Sequence, residues 1–134
     1  MENLINFEDF NELNENLYNQ KMTSKELEEM ESISYKTTRI NDVVIWIGNN
    51  SKFNKRIIKV SNIPNDKKGE DCFIITLNEL KTFGKINKEF ITDNILSKIK
   101  KFIINNLNTI NKYYNVEIEV FDLIEIIRNE NNNI

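Results

Sequence analysis

The chain has 134 residues, of which 40% are hydrophobic and 29% are charged, and its formal net charge is −3. This length and apolar content predict one soluble globular domain, and they exclude a largely disordered chain or a membrane span. The chain has no histidine and a single cysteine, Cys72, which excludes a disulfide framework, a cysteine zinc site and histidine-dependent catalysis.

Charge is distributed unevenly along the chain. Residues 1–34 carry nine acidic and two basic side chains. Residues 35–116 carry seven acidic and fifteen basic side chains, and residues 117–134 carry five acidic and one basic. The acidic ends can fold over the basic centre, or the protein can present faces of opposite sign to partners. The acidic N-terminus lacks the apolar run of a targeting signal, so we expect a cytoplasmic protein, in a host cell if a phage encodes it.

Two acidic amphipathic helices are predicted at the start of the chain. In the first, apolar side chains recur every three or four residues, at Leu4, Phe7, Phe10, Leu13 and Leu17. In the second, Thr23 and Glu26 have the spacing of a capping box. Leu27 and Met30 supply its apolar stripe. We therefore assign N-terminal helices to residues 3–32.

An antiparallel sheet of about four strands is predicted over residues 33–90. The strands are expected at residues 35–40, 43–47, 56–63 and 72–77. The first two form a hairpin around the turn signal at Asn41 and Asp42. The segment 80–90 contains Gly84 and is either a connection or a short edge strand.

The second and fourth strands are apolar on both faces, whereas a sheet with one face in water would alternate. Odd-numbered residues from 43 to 47 point one way, while Val44 and Trp46 point the other. We place the N-terminal helices on one face and the C-terminal helix on the other, with a dimer interface as the competing cover. Trp46 should then be buried, and Cys72 should be a reduced, unreactive strand residue.

A long C-terminal helix is predicted to begin at Thr92 or Asp93, either of which can cap it. Its apolar stripe contains Ile95, Ile99, Phe102, Ile103, Leu107, Ile110 and Tyr114. Its opposite side is polar and carries Lys98 and Lys101. Residues 116–120 alternate as a strand would but also fit a helical pattern, and we favour a short final helix over residues 120–128.

Together these elements predict one α+β domain over residues 1–130. Its antiparallel sheet lies between the N-terminal helices and the C-terminal helices, which occupy residues 92–130. Residues 131–134 are mostly asparagine and are expected to form a disordered tail.

The motifs of familiar enzymes are missing from the sequence. Its three glycines lie too far apart for a phosphate loop, and its paired carboxylates sit on patterns typical of solvated faces. We therefore predict no catalytic residue, no metal and no cofactor. Basic residues near aromatic ones are instead candidates for phosphate contacts, and we name Arg56, Lys59, Lys98 and Lys101 as possible nucleic-acid ligands.

Part of the chain resembles known small domains. The similarity rests on residues 56–64 (RIIKVSNIP), 71–77 (DCFIITL), 83–86 (FGKI) and 111–114 (NKYY). These stretches resemble small domains of bacterial genomes and mobile elements in which a strand pair precedes a long helix. The resemblance covers residues 56–128 and bears on the fold.

In its general profile the chain is similar to phage anti-CRISPR proteins, which are small, cytosolic, acidic and free of catalytic motifs. That resemblance implies binding to a CRISPR effector nuclease, on surfaces that otherwise hold RNA or DNA. The acidic residues predicted to bind the effector are Glu8, Glu12, Glu15, Glu26 and Glu29, because they can stand in for phosphates. We expect a monomer or homodimer that binds protein, and the alternative is a nucleic-acid-binding regulatory or antitoxin-like module.

Overall fold

A computed structural model describes residues 20–48 and 53–132 of the chain. Within them, five helices accompany one five-stranded antiparallel sheet, so the α+β prediction is confirmed and the sheet has one strand more than expected. No helix in these residues is long and apolar enough to cross a membrane. The first predicted helix, at residues 4–18, lies outside the described residues.

The sheet is a meander whose neighbouring strands follow one another in the sequence. Its strands are β1 (Met30–Ile33), β2 (Ile45–Gly48), β3 (Ile57–Ser61), β4 (Cys72–Thr76) and β5 (Thr82–Phe83). β3 is central and pairs with β4 along its whole length, from Ile57 opposite Thr76 to Ser61 opposite Cys72. The two-residue β5 is an edge strand, which agrees with one of the two predictions for residues 80–90.

The second N-terminal helix is shorter than predicted. α1 (Ser24–Glu29) has the predicted capping box, in which Thr23 Oγ1 accepts from the Glu26 backbone N–H and the Glu26 carboxylate accepts from the Thr23 N–H. Its extension to residue 32 is wrong, because the chain becomes β1 at Met30 and pairs with β2. The Met30 side chain is buried, so it serves the sheet core as a strand residue.

The predicted hairpin strand at residues 35–40 is also wrong. The segment is a single helical turn, α2 (Tyr35–Thr38), and Arg39 ends it with a left-handed φ of 63°. β1 already occupies the edge of β2, so residues 35–40 have no strand to pair with. They dock on the C-terminal helix instead, where Arg128 Nε donates to Thr37 Oγ1 at 3.1 Å.

The C-terminal region forms three helices: α3 (Asp93–Asn105), α4 (Leu107–Tyr114) and α5 (Val120–Asn132). Thr92 caps α3, as predicted, by accepting from the Ile95 N–H. The predicted long helix is interrupted at Asn106, whose buried side chain donates to the Phe102 carbonyl at 2.8 Å. α5 runs to Asn132, into the segment predicted to be a disordered tail, and residues 133–134 lie outside the described residues.

The sheet is buried on both faces, as its two apolar strands predicted. The C-terminal face carries Ile45, Ile47, Ile58, Val60, Phe73 and Ile75, which pack with buried residues of α3, α4 and α5. The N-terminal face carries Val44, Trp46 and Cys72, which pack with Met22 and Met30. Trp46 is 4% exposed, so its predicted burial is confirmed.

Candidate binding sites

One predicted acidic ligand and one predicted basic ligand are buried against each other. Glu26 is 3% exposed and Lys59 is 1% exposed, and their side chains form an ion pair on the N-terminal face. The Lys59 ammonium also lies 5.8 Å from the centre of the Phe53 ring. Glu26 is therefore wrong as a partner-binding residue and Lys59 is wrong as a nucleic-acid ligand, because the fold uses both charges internally.

The sequence does not signal the burial of Lys59. Lys59 shares one face of β3 with Ile57 and Ser61, a mixed pattern that is compatible with an exposed lysine, although all five residues of β3 are buried. The burial of Glu26 is not signalled either, because its partner lies 33 residues further along the chain.

The other predicted acidic residues fall into two groups. Glu29 is half-buried at the end of α1, and its carboxylate lies 4.0 Å from Lys25 Nζ. Glu8, Glu12 and Glu15 lie outside the described residues.

Lys98 and Lys101 are exposed on α3 and line one groove, which we call the Lys98 groove. The groove has a volume of about 320 Å³, and its lining includes the apolar side chains of Ile40 and Phe102. Arg39 adds a third cation to its rim, and Glu130 from α5 adds the single acidic side chain. The structure therefore brings two predicted nucleic-acid ligands together with an arginine that sequence reasoning missed.

Arg39 reaches the groove because of its backbone conformation. Its left-handed φ closes α2, with its N–H donating to the Tyr35 carbonyl at 2.8 Å, and directs the chain towards buried Ile40. Its guanidinium lies 5.7 Å from the centre of the Tyr35 ring. A non-glycine residue in this conformation is uncommon, and nothing in the hydrophobic pattern indicated it.

Some lysines are held in salt bridges, whereas within the described residues the cations of the groove and several other lysines are not. Lys55, Lys81 and Lys88 each lie within 4.0 Å of a carboxylate. Within residues 20–48 and 53–132, Arg39, Lys98 and Lys101 have no such partner. Their charges are therefore available to an anion from outside the chain.

Arg56 lines a second, larger opening, which we call the Arg56 cleft. It has a volume of about 590 Å³ and lies where β3 begins, between the residues after β4 and the end of α4. The Arg56 guanidinium donates through Nη1 to Asn111 Oδ1 at 3.0 Å and through Nη2 to Asn115 Oδ1. It also lies 5.7 Å from the centre of the Tyr114 ring. Arg56 thus lies apart from Lys98 and Lys101.

Tyr114 anchors α4 beneath the Arg56 cleft. Its hydroxyl donates to the Ile57 carbonyl and accepts from the Gly48 N–H at 3.1 Å. Burial raises the pKa of the Tyr114 hydroxyl, so it stays protonated and keeps both bonds. Gly48 suits this position because its φ is 134° and a Cβ would lie 2.7 Å from the Glu29 carbonyl oxygen.

The rim of the Arg56 cleft holds a charge cluster. Lys55 Nζ lies 2.5 Å from Glu79 Oε1, and Lys81 Nζ lies 3.3 Å from Glu79 Oε2. The hydrogen bond from Lys55, followed by that from Lys81, lowers the pKa of Glu79. Glu79 is therefore ionised near neutral pH and is shared by Lys55 and Lys81.

Cys72 has the environment of a structural thiol. It is fully buried in β4, and burial raises its pKa from 9.0 to about 12. Among the described residues, no group of three or more cysteine, aspartate or glutamate side chains could hold a metal ion. No family model, curated protein or solved structure matches the chain.

Proposed function

We propose that this chain is a non-enzymatic binding protein that contacts the phosphates of a nucleic acid through the Lys98 groove. The observation that carries the proposal is the convergence of Arg39, Lys98 and Lys101 on one groove, without a carboxylate salt-bridged to any of them in the described residues. Cations already paired within the protein would have to break those pairs before they bound phosphate. These three do not.

The shape of the groove favours a strand over an isolated anion. Its lining combines exposed Lys98 and Lys101 with the edges of Ile40 and Phe102, which an unpaired base can contact. Each phosphate contact with a lysine or arginine releases counterions, so the affinity should fall as salt rises. In this role the protein acts in the cytoplasm and needs no cofactor.

A salt series with single-stranded and double-stranded oligonucleotides tests this proposal. We expect the double variant Lys98→Gln, Lys101→Gln to bind more weakly and to reduce the slope of log K against log salt by about 0.7 to 0.9 per lost contact. The matched control is Lys88→Gln, since Lys88 is an exposed lysine paired with Asp93 just before α3. Equal binding by the double variant and the wild type would remove the Lys98 groove from the proposal.

A second candidate function is inhibition of a CRISPR effector nuclease by direct protein binding. Glu28 and Glu31 support it, because both are exposed at the junction of α1 and β1. Half-buried Glu29 lies between them in the sequence. A ridge of carboxylates can occupy a basic groove that otherwise holds RNA or DNA. This candidate also requires no catalytic residue in the chain.

Pull-down with a panel of effector nucleases, followed by cleavage assays, tests the second candidate. We expect Glu28→Gln with Glu31→Gln, and separately Glu8→Gln with Glu12→Gln and Glu15→Gln, to weaken binding and its salt dependence. Glu125→Gln is the control, since Glu125 is an exposed acid on α5. Retention of full affinity by both sets of variants would contradict an acidic interface.

A further inference from the structure

We infer that the Arg56 cleft is a second anion site, which takes a singly charged phosphodiester group of a nucleic-acid strand. The inference rests on the proposed nucleic-acid function and adds a site that the Lys98 groove does not contain. It starts from how Arg56 is held, because two amides and an aromatic ring fix its guanidinium without neutralising it.

Arg56 differs from the ion-paired lysines of the chain. No carboxylate lies within salt-bridge distance of its guanidinium in the described part of the chain. Asn111 and Asn115 accept one hydrogen bond each, so they orient the guanidinium plane while leaving its full positive charge. A guanidinium held in this way is preorganised for an external oxyanion.

The remaining hydrogen-bonding groups of the cleft are mostly donors. A guanidinium has five N–H groups, and two of them are used by the asparagines, so three remain for a ligand. The Asn111 Nδ2 group lies beside them, and its amide oxygen is already occupied by Arg56. Several donors converging on one open cleft match the oxygens of a phosphate group better than a neutral ligand.

The charged side chains that line the cleft match a single negative charge. Lys55 and Glu79 are paired at the rim, where Lys81 from outside the lining also contacts Glu79, and Arg56 is the one cation of the lining without a salt bridge in the described residues. A phosphodiester carries one negative charge at neutral pH and can take one such cation. The volume of about 590 Å³ leaves room for the sugar on either side of the phosphate.

Two features connect the cleft with a longer bound strand. An adjoining pocket of about 220 Å³ shares Lys55 and Arg56 with the cleft and is also lined by Phe53 and Tyr114. The asparagines that hold Arg56 belong to α4 and its C-terminal end, which follows directly after the helix that carries the Lys98 groove.

Dimethyl phosphate is a suitable probe, because it is a phosphodiester without a base or a sugar. We expect saturable shifts of the Arg56 Nε–H and Asn111 Nδ2–H₂ NMR signals during its titration into the wild-type protein. Inorganic phosphate at pH 8, which is mainly a dianion, should bind several-fold more weakly, and so should acetate. Absence of saturable shifts, or tighter binding of inorganic phosphate or acetate, would overturn the inference.

The variant Asn111→Asp separates a binding role from a structural one. It keeps the size of the side chain and the bond to Arg56, but it places a carboxylate against the guanidinium. If Arg56 only fastens α4 to the sheet and dimethyl phosphate binds elsewhere, its affinity for the variant should equal its affinity for the wild type, which would contradict the inference. If the cleft is an anion site, binding should fall at least tenfold while the protein remains folded.

Arg56→Lys and Arg128→Lys form a matched pair for oligonucleotide binding. Arg128 is also exposed and held by a neutral side chain, that of Thr37, but it lies outside the cleft. We expect Arg56→Lys to weaken oligonucleotide binding three- to tenfold and Arg128→Lys to leave it unchanged. If Arg56→Lys binds the oligonucleotide as tightly as the wild type, the inference is overturned, while the proposed function of the Lys98 groove is unaffected. Dimethyl phosphate binding without oligonucleotide binding overturns both proposals.

Discussion

The two faces of the sheet are buried in different ways. The C-terminal face is covered by three helices mainly through one large apolar cluster, with Tyr114 adding hydrogen bonds from α4 to the sheet. The N-terminal face combines a smaller apolar cluster with the buried pair of Glu26 and Lys59. Among the described residues, it also holds the one buried side-chain polar atom without a hydrogen-bond partner, the indole nitrogen of Trp46.

This difference indicates what determines the position of the helices on each face of the sheet. Apolar contacts are tolerant of small shifts, so the C-terminal helices are placed by the shape of many side chains. An ion pair in an apolar layer requires one partner at one position, so Glu26 fixes where α1 sits on the sheet. The N-terminal face thus gains a defined arrangement at a cost in desolvation.

Breaking the buried pair should have the largest effect. Lys59→Ala leaves the Glu26 carboxylate buried without its partner and removes the packing of the lysine stem, so we expect a loss of about 5 kcal/mol in the free energy of unfolding. Urea denaturation followed by circular dichroism measures it. The double variant Glu26→Leu, Lys59→Met should recover most of the loss. If the double variant is as unstable as Lys59→Ala, the ion pair stabilises the fold on balance and the desolvation cost stated above is refuted.

Trp46→Ala should have the next largest effect, because it leaves a cavity in the centre of the N-terminal face. We expect the free energy of unfolding to fall by about 3 to 5 kcal/mol. Trp46→Phe should cost only about 1 kcal/mol, since it removes an unpartnered N–H along with part of the ring. Denaturant unfolding of both variants checks the order. A loss for Trp46→Phe as large as that for Trp46→Ala would show that the indole N–H is satisfied.

Alkaline pH should weaken the N-terminal face through Cys72. The unfolded chain releases the thiol proton near pH 9, while the folded protein holds it until about pH 12. Stability should therefore fall by about 1.4 kcal/mol per pH unit between these values. Cys72→Ala should flatten this fall between pH 9 and pH 10 in a series of unfolding curves. An unchanged slope in the variant would show that Cys72 is ionised in the folded state.

The smallest effect is expected at the start of α1. Thr23→Ala removes the hydroxyl that accepts from the Glu26 N–H, and the expected loss is about 1 kcal/mol. Thr23→Ser retains the hydroxyl and is the control in the same denaturation assay. A loss for Thr23→Ala well above that for other caps would show that the box also holds the Glu26 carboxylate in place.

The sequence was sufficient for elements whose pattern is local. Val43 to Ile47 and Cys72 to Leu77 are short apolar runs, rich in β-branched residues and bounded by turn signals, and this local combination predicts buried strands. The segment 30–40 was predicted wrongly because its structure depends on a tertiary interaction, namely which part of the chain pairs with the edge of β2. Met30 fits a helical stripe and a strand equally well, so local pattern cannot decide between them.

The candidate sites were predictable to a smaller extent. Lys98 and Lys101 lie one turn apart on a clearly periodic helix, so their shared exposure follows from spacing. Arg39 reaches the same groove because its backbone is left-handed, and Glu26 is buried because it forms an ion pair with Lys59. Both depend on tertiary contacts that no short window of sequence contains.

The interruption at Asn106 places a limit on how the chain can change in length. Lys101 and Asn111 lie ten positions apart, on the two helices that meet at Asn106. One residue inserted into α4 before Asn111 would turn Asn111 by about 100° relative to the start of that helix and move it off the side that holds Arg56. Descendants of a common ancestor should therefore keep the number of residues from 98 to 111, while the loops that join the strands lengthen and shorten.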